Sequence, residues 1–393
     1  MAEKGAGYNT GNSPKLPPSE EVNIPALSRL FADTTNSYKF VFFLSLLDIL
    51  RRRNFEVSQP ITFQELVVEM LANAWYPHTY FKLSFGTQDQ ITKNLDSLSL
   101  EISEPILKFT DTDKKLLRAT IESQDLSGVV KKLQRFVPFR LITPFFEQEL
   151  ADVPDKHKGS NLDYAVPKVA EANFGKLKPL YRFDSEQYNS CQSVIIHPDW
   201  ADYLQKHYRI VRAWAAWEWL HYMQRRNPNT PGLVNKLFAP SKRESLSKQT
   251  TYWKIVLQSL DLHCIYSGQR IDPQRFSLDH YLPWSFIAHD QLWNLIPTTP
   301  EINSSKSNDL PPPEFLERFI TAQHQGLSIC HQKLSDKAWE KIVEAYIEGL
   351  NIHNQDDLLD LDKLRNAYDN VVHPLISLAS HQGFKVWQAP SVA

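Results

Sequence analysis

The chain has 393 residues, of which 42% are hydrophobic and 12% aromatic, enough apolar side chains for roughly two or three globular domains. Its three cysteines are widely spaced and odd in number, which argues against a disulfide framework and is typical of a reducing compartment. The formal net charge of −2 does not by itself indicate a nucleic-acid-binding protein. The longest apolar run, residues 40–50, is too short to cross a bilayer, and the first residues lack the layout of a signal peptide. We therefore predict a cytoplasmic protein with no membrane partner.

The first part of the chain predicts helices. Residues 1–20 are polar and rich in Pro, Gly and Ser, so we expect a flexible tail, and residues 21–150 are expected to form a helical domain. An apolar helix is predicted over Lys39–Arg53, and a second begins after Thr62, a capping residue with a Glu three positions later. Two helices joined by a short extended piece can be half of a winged-helix unit, but they are more often two packed helices. No residue of this domain suggests catalysis.

The middle of the chain changes in composition. Residues 151–184 contain several Pro, Gly and Lys residues without periodicity, which predicts a linker or long loop. Residues 185–260 predict a basic helical segment, with helices over Asp199–Gln224 and Lys242–Leu260. Residues 201–260 hold ten Lys or Arg against three acidic residues, an excess of seven positive charges. Such an excess suits contact with a phosphate backbone, although a solvated helix face has the same composition.

Two basic residues of this segment, Arg243 and Lys248, are candidate substrate contacts, because the segment leads directly into the motif described next. The long helix also carries Trp214, Trp217 and Trp219. Tryptophans can stack on bases, but aromatic residues at helical spacing more often belong to a core.

Residues 261–313 contain the densest set of polar motifs in the chain. A hairpin is predicted over Cys264–Ile271, with a Ser-Gly turn inside it, and a strand over Phe276–Leu282, ended by the proline that follows. Thr299 with a proline after it predicts a short helix that extends to about Ser307. The expected order is therefore strand, strand, loop and helix.

The polar residues of this segment suit cleavage of a phosphodiester. Asp279 and His280 lie where the second strand ends, so that neighbouring side chains can share a site. Asn303 and Lys306 are three residues apart and lie on one face of the helix. A hard divalent ion prefers oxygen ligands and keeps several waters, so one carboxylate and one amide oxygen suffice to hold it. A histidine can act as general base on an attacking water, and the lysine can contact a phosphate oxygen.

The motif that begins at Asp279-His280 and continues to Asn294 and Asn303 resembles the HNH, or ββα-metal, nuclease motif. The pattern Leu-Asp-His-x-x-Pro-x-Ser-Phe followed by Asn-x-x-Lys-Ser is similar to the HNH domain of type II CRISPR effector nucleases. This resemblance implies that His280 is the general base, that Asp279 and Asn303 are ligands of one Mg²⁺ or Mn²⁺ ion, and that Asn294 braces the loop and orients the base.

One departure from the family concerns zinc. Many HNH proteins carry two Cys-x-x-Cys pairs that bind a structural zinc ion, whereas here Cys264 is followed by Ser267 and no later pair exists. A structural zinc needs four nitrogen or sulfur ligands. No structural zinc is therefore expected.

The individual residues also have plainer interpretations. His280 alone would be a hydrogen-bonded surface histidine, and Asn294 a loop residue bonded to its own backbone. Asn303 and Lys306 would be exposed helix residues. The loop residues His289 and Asp290 are expected only to face solvent or to brace the loop.

Residues 314–393 predict a C-terminal helical segment. A helix is expected over Glu314–Gln325, another is expected to begin at the capping residue Ser335, and the last runs from Asp356 to about residue 372, where Pro374 should end or kink it. These helices are expected to pack on the HNH module or on a second copy of the chain.

The whole sequence predicts an α+β, mostly α-helical protein with a ββα-metal (HNH) module embedded late in the chain. The resemblance implies metal-dependent hydrolysis of phosphodiester bonds, with DNA as the expected substrate. Such stand-alone proteins resemble prokaryotic restriction or anti-phage defence nucleases, a role compatible with a homo-oligomer or a defence-system partner protein. Two alternatives stay open: a nucleic-acid- or partner-binding protein whose HNH fold does not catalyse, and an RNA-directed nuclease or toxin.

Overall fold

A computed structural model describes residues 15–98, 100, 111–153, 161–238 and 245–389. These residues are mostly helical with small antiparallel sheets, which confirms the predicted fold class. Among them, no helix is long and apolar enough to cross a membrane. The chain divides into two compact units: unit 1 comprises Met1–Thr79 and Ser84–Pro228, and unit 2 comprises Tyr80–Leu83 and Asn229–Ala393.

Unit 1 combines helices with a small sheet. Its helices are α1 (Ile24–Ser28), α2 (Tyr38–Arg52), α3 (Phe63–Trp75), α4 (Gln90–Ser97), α5 (Asp111–Glu122), α6 (Ser127–Leu133), α7 (Val137–Leu141), α8 (Asn161–Ala172), α9 (Phe174–Leu177) and α10 (Pro198–Arg226). Its strands are β1 (Ile61–Thr62), β2 (Tyr181–Phe183) and β3 (Ser193–Ile196), which form an antiparallel sheet in the order β1-β3-β2.

The local signals in unit 1 predicted α2 and α3 well. The Thr62 side chain accepts a hydrogen bond from the Glu65 backbone N–H at 3.1 Å, which is the expected N-terminal cap of α3. In α10, Trp214 and Trp219 are buried, as core tryptophans should be, whereas Trp217 is 44% exposed. The core interpretation therefore holds for two of the three tryptophans.

The predicted linker at residues 151–184 is wrong where the structure describes it, because α8, α9 and β2 lie in this range. Residues 154–160 lie outside the described residues. Pro167 and Gly175 are usually helix breakers, yet Pro167 lies inside α8. Val166 and Ala170 of α8 are buried, and α8 packs against β2. This tertiary burial outweighs the hydrogen bond that the proline removes.

The predicted domain boundaries also change. Ile61 of the predicted helical domain pairs with Val194, which was assigned to the basic segment. The boundary between the two units lies at Pro228, so the predicted basic segment, residues 185–260, is divided between them. Pairing between strands more than a hundred residues apart cannot be recognised from local sequence patterns. The predicted domain boundaries therefore differ from those of the two units.

Unit 2 contains the polar motifs. Its helices are α11 (Leu233–Leu237), α12 (Ser247–Leu257), α13 (Trp284–Ile287), α14 (Pro300–Lys306), α15 (Leu316–Lys333), α16 (Asp336–Leu350) and α17 (Leu361–His381). Its strands are β4 (Ser277–His280) and β5 (Leu295–Thr298), which pair antiparallel. One hydrophobic core joins β4, β5 and the helices α12 and α15 to α17, which confirms that the C-terminal helices pack on the predicted module.

Two expectations for the C-terminal helices are wrong in detail. α17 continues through Pro374 to His381. Because Pro374 is exposed, the backbone carbonyl that loses its helical partner can bond to water instead. Ser335 does precede α16, but its side chain makes no capping hydrogen bond.

Helix α11 holds the C-terminal end of α13 through its polar side chains. Lys236 is fully buried and its ammonium donates to the backbone carbonyl of Phe286, while the Asn235 side-chain amide donates to the carbonyl of Ala288 at 3.3 Å. Gly232 has a φ of +60°, and a Cβ there would lie 2.9 Å from the Cβ of Ala288. A glycine is therefore required for this close approach.

Burial lowers the pKa of Lys236 to about 7. An unfolded lysine titrates near 10.4, so above pH 7 the unfolded chain binds a proton that the folded chain does not. The contribution of Lys236 to the free energy of unfolding should therefore rise with pH from about 7 to 10 and be lost as pH falls through the folded pKa.

We expect the free energy of unfolding of the wild type, relative to Lys236→Met, to increase between about pH 7 and 10, by at most about 1.4 kcal/mol per pH unit. Urea denaturation at several pH values measures this difference. Lys254→Met, on an exposed position of α12, is the matched control and should show no such trend. A Lys236→Met difference that does not vary with pH would contradict the assignment.

Candidate active site

Strands β4 and β5 and helix α14 form a ββα arrangement. In the antiparallel pair, Asp279 lies opposite Ile296 and His280 opposite Leu295. Helix α14 follows β5 directly, and its N-terminus is capped by the Thr299 hydroxyl, which accepts from a backbone N–H at 3.4 Å. The predicted helix start is therefore confirmed, and β4 ends at His280, two residues before the end of the predicted strand.

The strand that pairs with β4 was not predicted. The hairpin over Cys264–Ile271 is present: the Cys264 N–H donates to the Gln269 carbonyl at 2.7 Å, and Gly268 has a φ of +69°. However, β4 pairs with β5, which follows it in sequence. β5 has four residues and contains Pro297. A proline inside a short run argues against a strand in sequence analysis.

The Asp279 carboxylate is buried, with the residue 2% exposed. Its Oδ2 accepts a hydrogen bond from the Tyr266 hydroxyl at 2.7 Å, and its Oδ1 lies 3.1 Å from the Lys306 ammonium. Tyr266 belongs to the preceding hairpin and Lys306 to the last turn of α14. The aspartate therefore joins three consecutive parts of the module.

Lys306 is placed differently from the expected phosphate contact. Its side chain is fully buried, and the ammonium donates to Asp279 and, at 2.7 Å, to the backbone carbonyl of His280. The ammonium is thus held in an internal ion pair, and its contact with a phosphate remains a prediction. A charge buried to this degree is tolerated only when it is paired.

The His280 ring contacts a carboxylate that the sequence analysis did not select. Its Nε2 lies 2.8 Å from Oδ1 of Asp290, and the two side chains are 12% and 17% exposed. Asp290 was expected only to face solvent or brace the loop. Nine residues lie between the pair, and only the four of α13 form regular structure, so no periodicity could have indicated this contact.

The Asp290 contact determines the chemistry of the imidazole. An ionised carboxylate only accepts hydrogen bonds, so Nε2 of His280 is the donor. In the neutral imidazole the other nitrogen, Nδ1, then carries the lone pair. The geometry therefore supports a histidine whose Nδ1 can take a proton and whose positive charge Asp290 can stabilise.

The neighbouring His289 is not equivalent. It is half-buried, and burial, followed by the proximity of His280, lowers the pKa of His289 to about 4. Its Nδ1 accepts from the backbone N–H of Gln291 at 3.3 Å. His289 is thus neutral near pH 7 and braces the loop, as one of its expected roles requires.

Asn294 fixes the chain just after His280. Its residue is 1% exposed, its Oδ1 accepts from the Leu282 N–H at 2.8 Å and its Nδ2 donates to the Leu282 carbonyl at 2.9 Å. The Asn294 backbone carbonyl also accepts from the N–H of Tyr281 at 2.8 Å. One backbone bond and two side-chain bonds thus extend the pairing of β4 and β5 beyond His280.

The C-terminal helices supply further polar contacts to this loop. The Gln323 amide donates to the Leu295 carbonyl at 2.8 Å and is itself held by the Tyr346 hydroxyl at 2.7 Å. The Tyr368 hydroxyl donates to the Trp293 carbonyl at 2.8 Å. All three side chains are fully buried, so these helices position the loop as well as covering it.

The remaining predicted residues lie in different settings. Asn303 is half-buried on α14, the helix that carries Lys306. Lys248 is exposed on α12, and its neighbour Gln249 donates to the backbone carbonyl of Asp290 at 2.9 Å. Arg243 lies outside the described residues.

The donor set fits the divalent ion expected from the sequence. Each Asp279 oxygen accepts one hydrogen bond, and an ionised carboxylate has about four acceptor positions, so both oxygens keep capacity for a ligand bond. Carboxylate and amide oxygens, the types that Asp279 and Asn303 offer, are ligands that suit Mg²⁺ or Mn²⁺. Within the described ranges, no group of three or more His, Cys, Asp or Glu residues is arranged to hold a metal.

Comparison with known protein families gives a match in this part of the chain. Residues 264–312 match the family model described as HNH endonuclease. The chain has no match among curated proteins or among solved structures. The matched residues include the hairpin, β4, β5 and α14, so the segment that carries Asp279, His280 and Asn303 is an HNH-family domain.

Proposed function

We propose that the HNH-family domain of this chain catalyses metal-dependent hydrolysis of phosphodiester bonds in DNA. An HNH domain implies nuclease activity in general. The observation that carries the specific proposal is the contact of His280 with Asp290 at 2.8 Å, next to a buried carboxylate at the end of the same strand. A binding surface has no need of an imidazole held in one tautomer.

In the proposed mechanism, His280 removes a proton from the attacking water through Nδ1, and Asp290 stabilises the resulting imidazolium. The water oxygen bonds to phosphorus as the bond from phosphorus to the leaving oxygen breaks. Asp279 and Asn303 would hold the divalent ion, which when bound polarises the phosphate and stabilises the leaving oxygen. Asn294 keeps the loop after His280 in place, so the imidazole remains oriented.

The proposed substrate contacts are electrostatic. Lys248 is exposed on α12, the helix whose Gln249 bonds to the Asp290 backbone, and Arg243 lies close to it in sequence. Lysine and arginine at such positions neutralise phosphates without reading sequence. One active site cuts one strand, so double-strand cleavage would require a homo-oligomer or two successive events. A role in cytoplasmic restriction or anti-phage defence, with a partner protein, belongs to the same proposal.

A second candidate is a nucleic-acid- or partner-binding protein with a non-catalytic HNH fold. The observation that favours it is the double engagement of Asp279 by Tyr266 and Lys306. RNA as substrate is the third candidate, since the metal chemistry is compatible with either sugar.

We expect His280→Ala and Asp279→Asn to lower cleavage of supercoiled plasmid by about 10²- to 10⁴-fold, because each removes a group that acts in the reaction. Purified protein with Mg²⁺ or Mn²⁺ is assayed beside an EDTA control, with labelled single-stranded DNA and RNA as further substrates. His353→Ala, at an exposed position in unit 2, is the matched control and should cut normally. A wild type that binds nucleic acid but cuts none of these substrates would favour the non-catalytic candidate.

Asp290→Asn should lower kcat by at least about tenfold with little change in KM for DNA. The amide keeps the shape of the side chain but can no longer stabilise a charged imidazole. Single-turnover kinetics on a labelled duplex separate the two constants. Asp261→Asn, which removes an exposed carboxylate paired with Arg270, should leave both constants unchanged. A rise in KM alone would assign Asp290 to substrate binding instead.

We expect Lys306→Met to bind Mn²⁺ at least about tenfold more tightly than the wild type. The substitution removes the repulsion between the Lys306 ammonium and an ion at Asp279, and a change of about 1.4 kcal/mol is sufficient for a tenfold difference in affinity. Without added metal the variant should be less stable than the wild type, because it leaves a buried carboxylate unpaired. Calorimetric titration and metal-dependent thermal unfolding measure both effects. Lys254→Met is the control and should match the wild type, and Asp279→Asn should abolish the metal effect. Weaker Mn²⁺ binding by Lys306→Met would show that the lysine supports the ion.

A further inference from the structure

Two carboxylates of unit 1 that share a basic partner, Lys114, take part in no step of the proposed reaction. Glu69 on α3 is fully buried, and the Asp48 side chain on α2 is 11% exposed. Burial raises the pKa of Asp48, but Lys114 and Arg212 together hold it at about 2. Asp48 is therefore a fixed negative charge at any ordinary pH.

Four basic side chains converge on these two carboxylates. Glu69 is contacted by Arg52, Lys114 and Arg118, and Asp48 by Lys114 and Arg212. They come from three helices: α2, α5 and α10. Two carboxylates neutralise two of the four cations, so this cluster keeps an excess of two positive charges.

The basic side chains of this cluster remain partly exposed to solvent although they form ion pairs. The side chains of Arg52 and Arg212 are 37% and 36% exposed, and Arg118 is 17% exposed. Arg52 and Arg118 each contact Glu69 through one nitrogen, whereas a guanidinium has five N–H donors. The two carboxylates therefore fix the positions of donors that still have hydrogen-bonding capacity.

An aromatic pair lies beside the cluster. Arg51 stacks over the Tyr208 ring at 5.5 Å, and Phe55 packs edge-on against the same ring at 5.7 Å. In the described part of the chain, Arg51 has no carboxylate partner. Asn54 and Phe55 have φ values of +51° and +62°, which is costly for residues other than glycine. This backbone conformation places the Phe55 ring next to Tyr208.

We propose that this surface of unit 1, formed by Arg51, Arg52, Phe55, Lys114, Arg118, Tyr208 and Arg212, binds a nucleic-acid strand through its phosphates. Converging like charges repel one another, and a polyanion removes that cost. Partly exposed aromatic rings between fixed cations are the arrangement that accommodates a phosphate backbone with bases stacked beside it. The two carboxylates hold the cations ready for binding. The proposal concerns binding alone and does not depend on catalysis by the HNH domain.

Arg51→Gln and Arg118→Gln test this surface. Arg51 neutralises no carboxylate in the described residues, and removal of Arg118 leaves Glu69 with Arg52 and Lys114, so both variants should fold. The full chain carries His280→Ala and is kept in EDTA, so that cleavage does not affect the measurement. Fluorescence anisotropy with labelled single-stranded DNA, duplex DNA and RNA gives the dissociation constant across a range of salt concentrations.

We expect each substitution to weaken binding severalfold and to reduce the slope of log K against log salt by about one. In the double variant this slope should decrease by about two. Arg135→Gln is the matched control, since Arg135 also lies over an aromatic ring in unit 1, that of Phe136 at 4.8 Å. Its affinity and salt slope should equal those of the parent.

Arg118→Lys separates charge from structure. It keeps the cation and should keep the salt slope, whereas a purely structural role would make Arg118→Lys and Arg118→Gln weaken binding alike. The proposal is overturned if the double variant binds with the parent's affinity and salt slope, or if the parent binds none of the three nucleic acids. If the chain without His280→Ala binds nucleic acid through this surface but cuts no plasmid, the proposed catalysis is refuted and the binding proposal is not affected.

Discussion

The buried ion pair between Asp279 and Lys306 is the contact on which the geometry of the HNH-family domain depends. A carboxylate this far from water must be paired, and removing one partner of such a pair typically costs about 3–5 kcal/mol. Lys306 also bonds to the carbonyl of His280, so the last turn of α14 is tied to the end of β4. Tyr266 occupies the other oxygen of the carboxylate. The hairpin, the strand and the helix therefore cannot move independently of one another.

The irregular chain between β4 and β5 imposes a second constraint. Apart from α13 and one 3-10 turn, its backbone lies outside regular structure, and buried polar groups without partners are costly. Side chains from outside the stretch supply bonds: Lys236, Gln249, Gln323 and Tyr368 all donate to backbone carbonyls within it or at the start of β5. A module of some fifty residues has too small a core to hold such a loop alone. The helices on both sides in sequence are thus part of how the site is positioned.

The features of this domain that could be predicted from the sequence are those marked by patterns of a few neighbouring residues. Asp279, His280 and the Thr299 cap lie within short patterns, and the structure has β4 end within two residues of the predicted strand end and α14 begin where its cap predicts. No strand was predicted at β5, where Pro297 interrupts a run of four residues.

The contact between Asp290 and His280 depends on the path of the irregular loop, and the inward direction of Lys306 depends on the packing of α14 on β4. Neither is encoded in the spacing of a few residues. Pro167 and Pro374 predict helix ends from the local sequence, yet both lie inside helices. The burial of α8 and the solvent exposure of Pro374 in α17 explain why these helices continue.

Charge was the least local property of all. The excess of positive charge counted over residues 201–260 includes Lys236, which is buried and has a lowered pKa, and Arg212, whose partner Asp48 lies more than a hundred residues earlier. A count along the sequence therefore mixes cations that face solvent with cations that hold the fold together. The cluster around Asp48 and Glu69 shows the converse, because α2, α3, α5 and α10 come together only in the folded unit. Electrostatic binding surfaces of this kind follow from which carboxylates are buried beneath the cations, and the tertiary structure alone determines that.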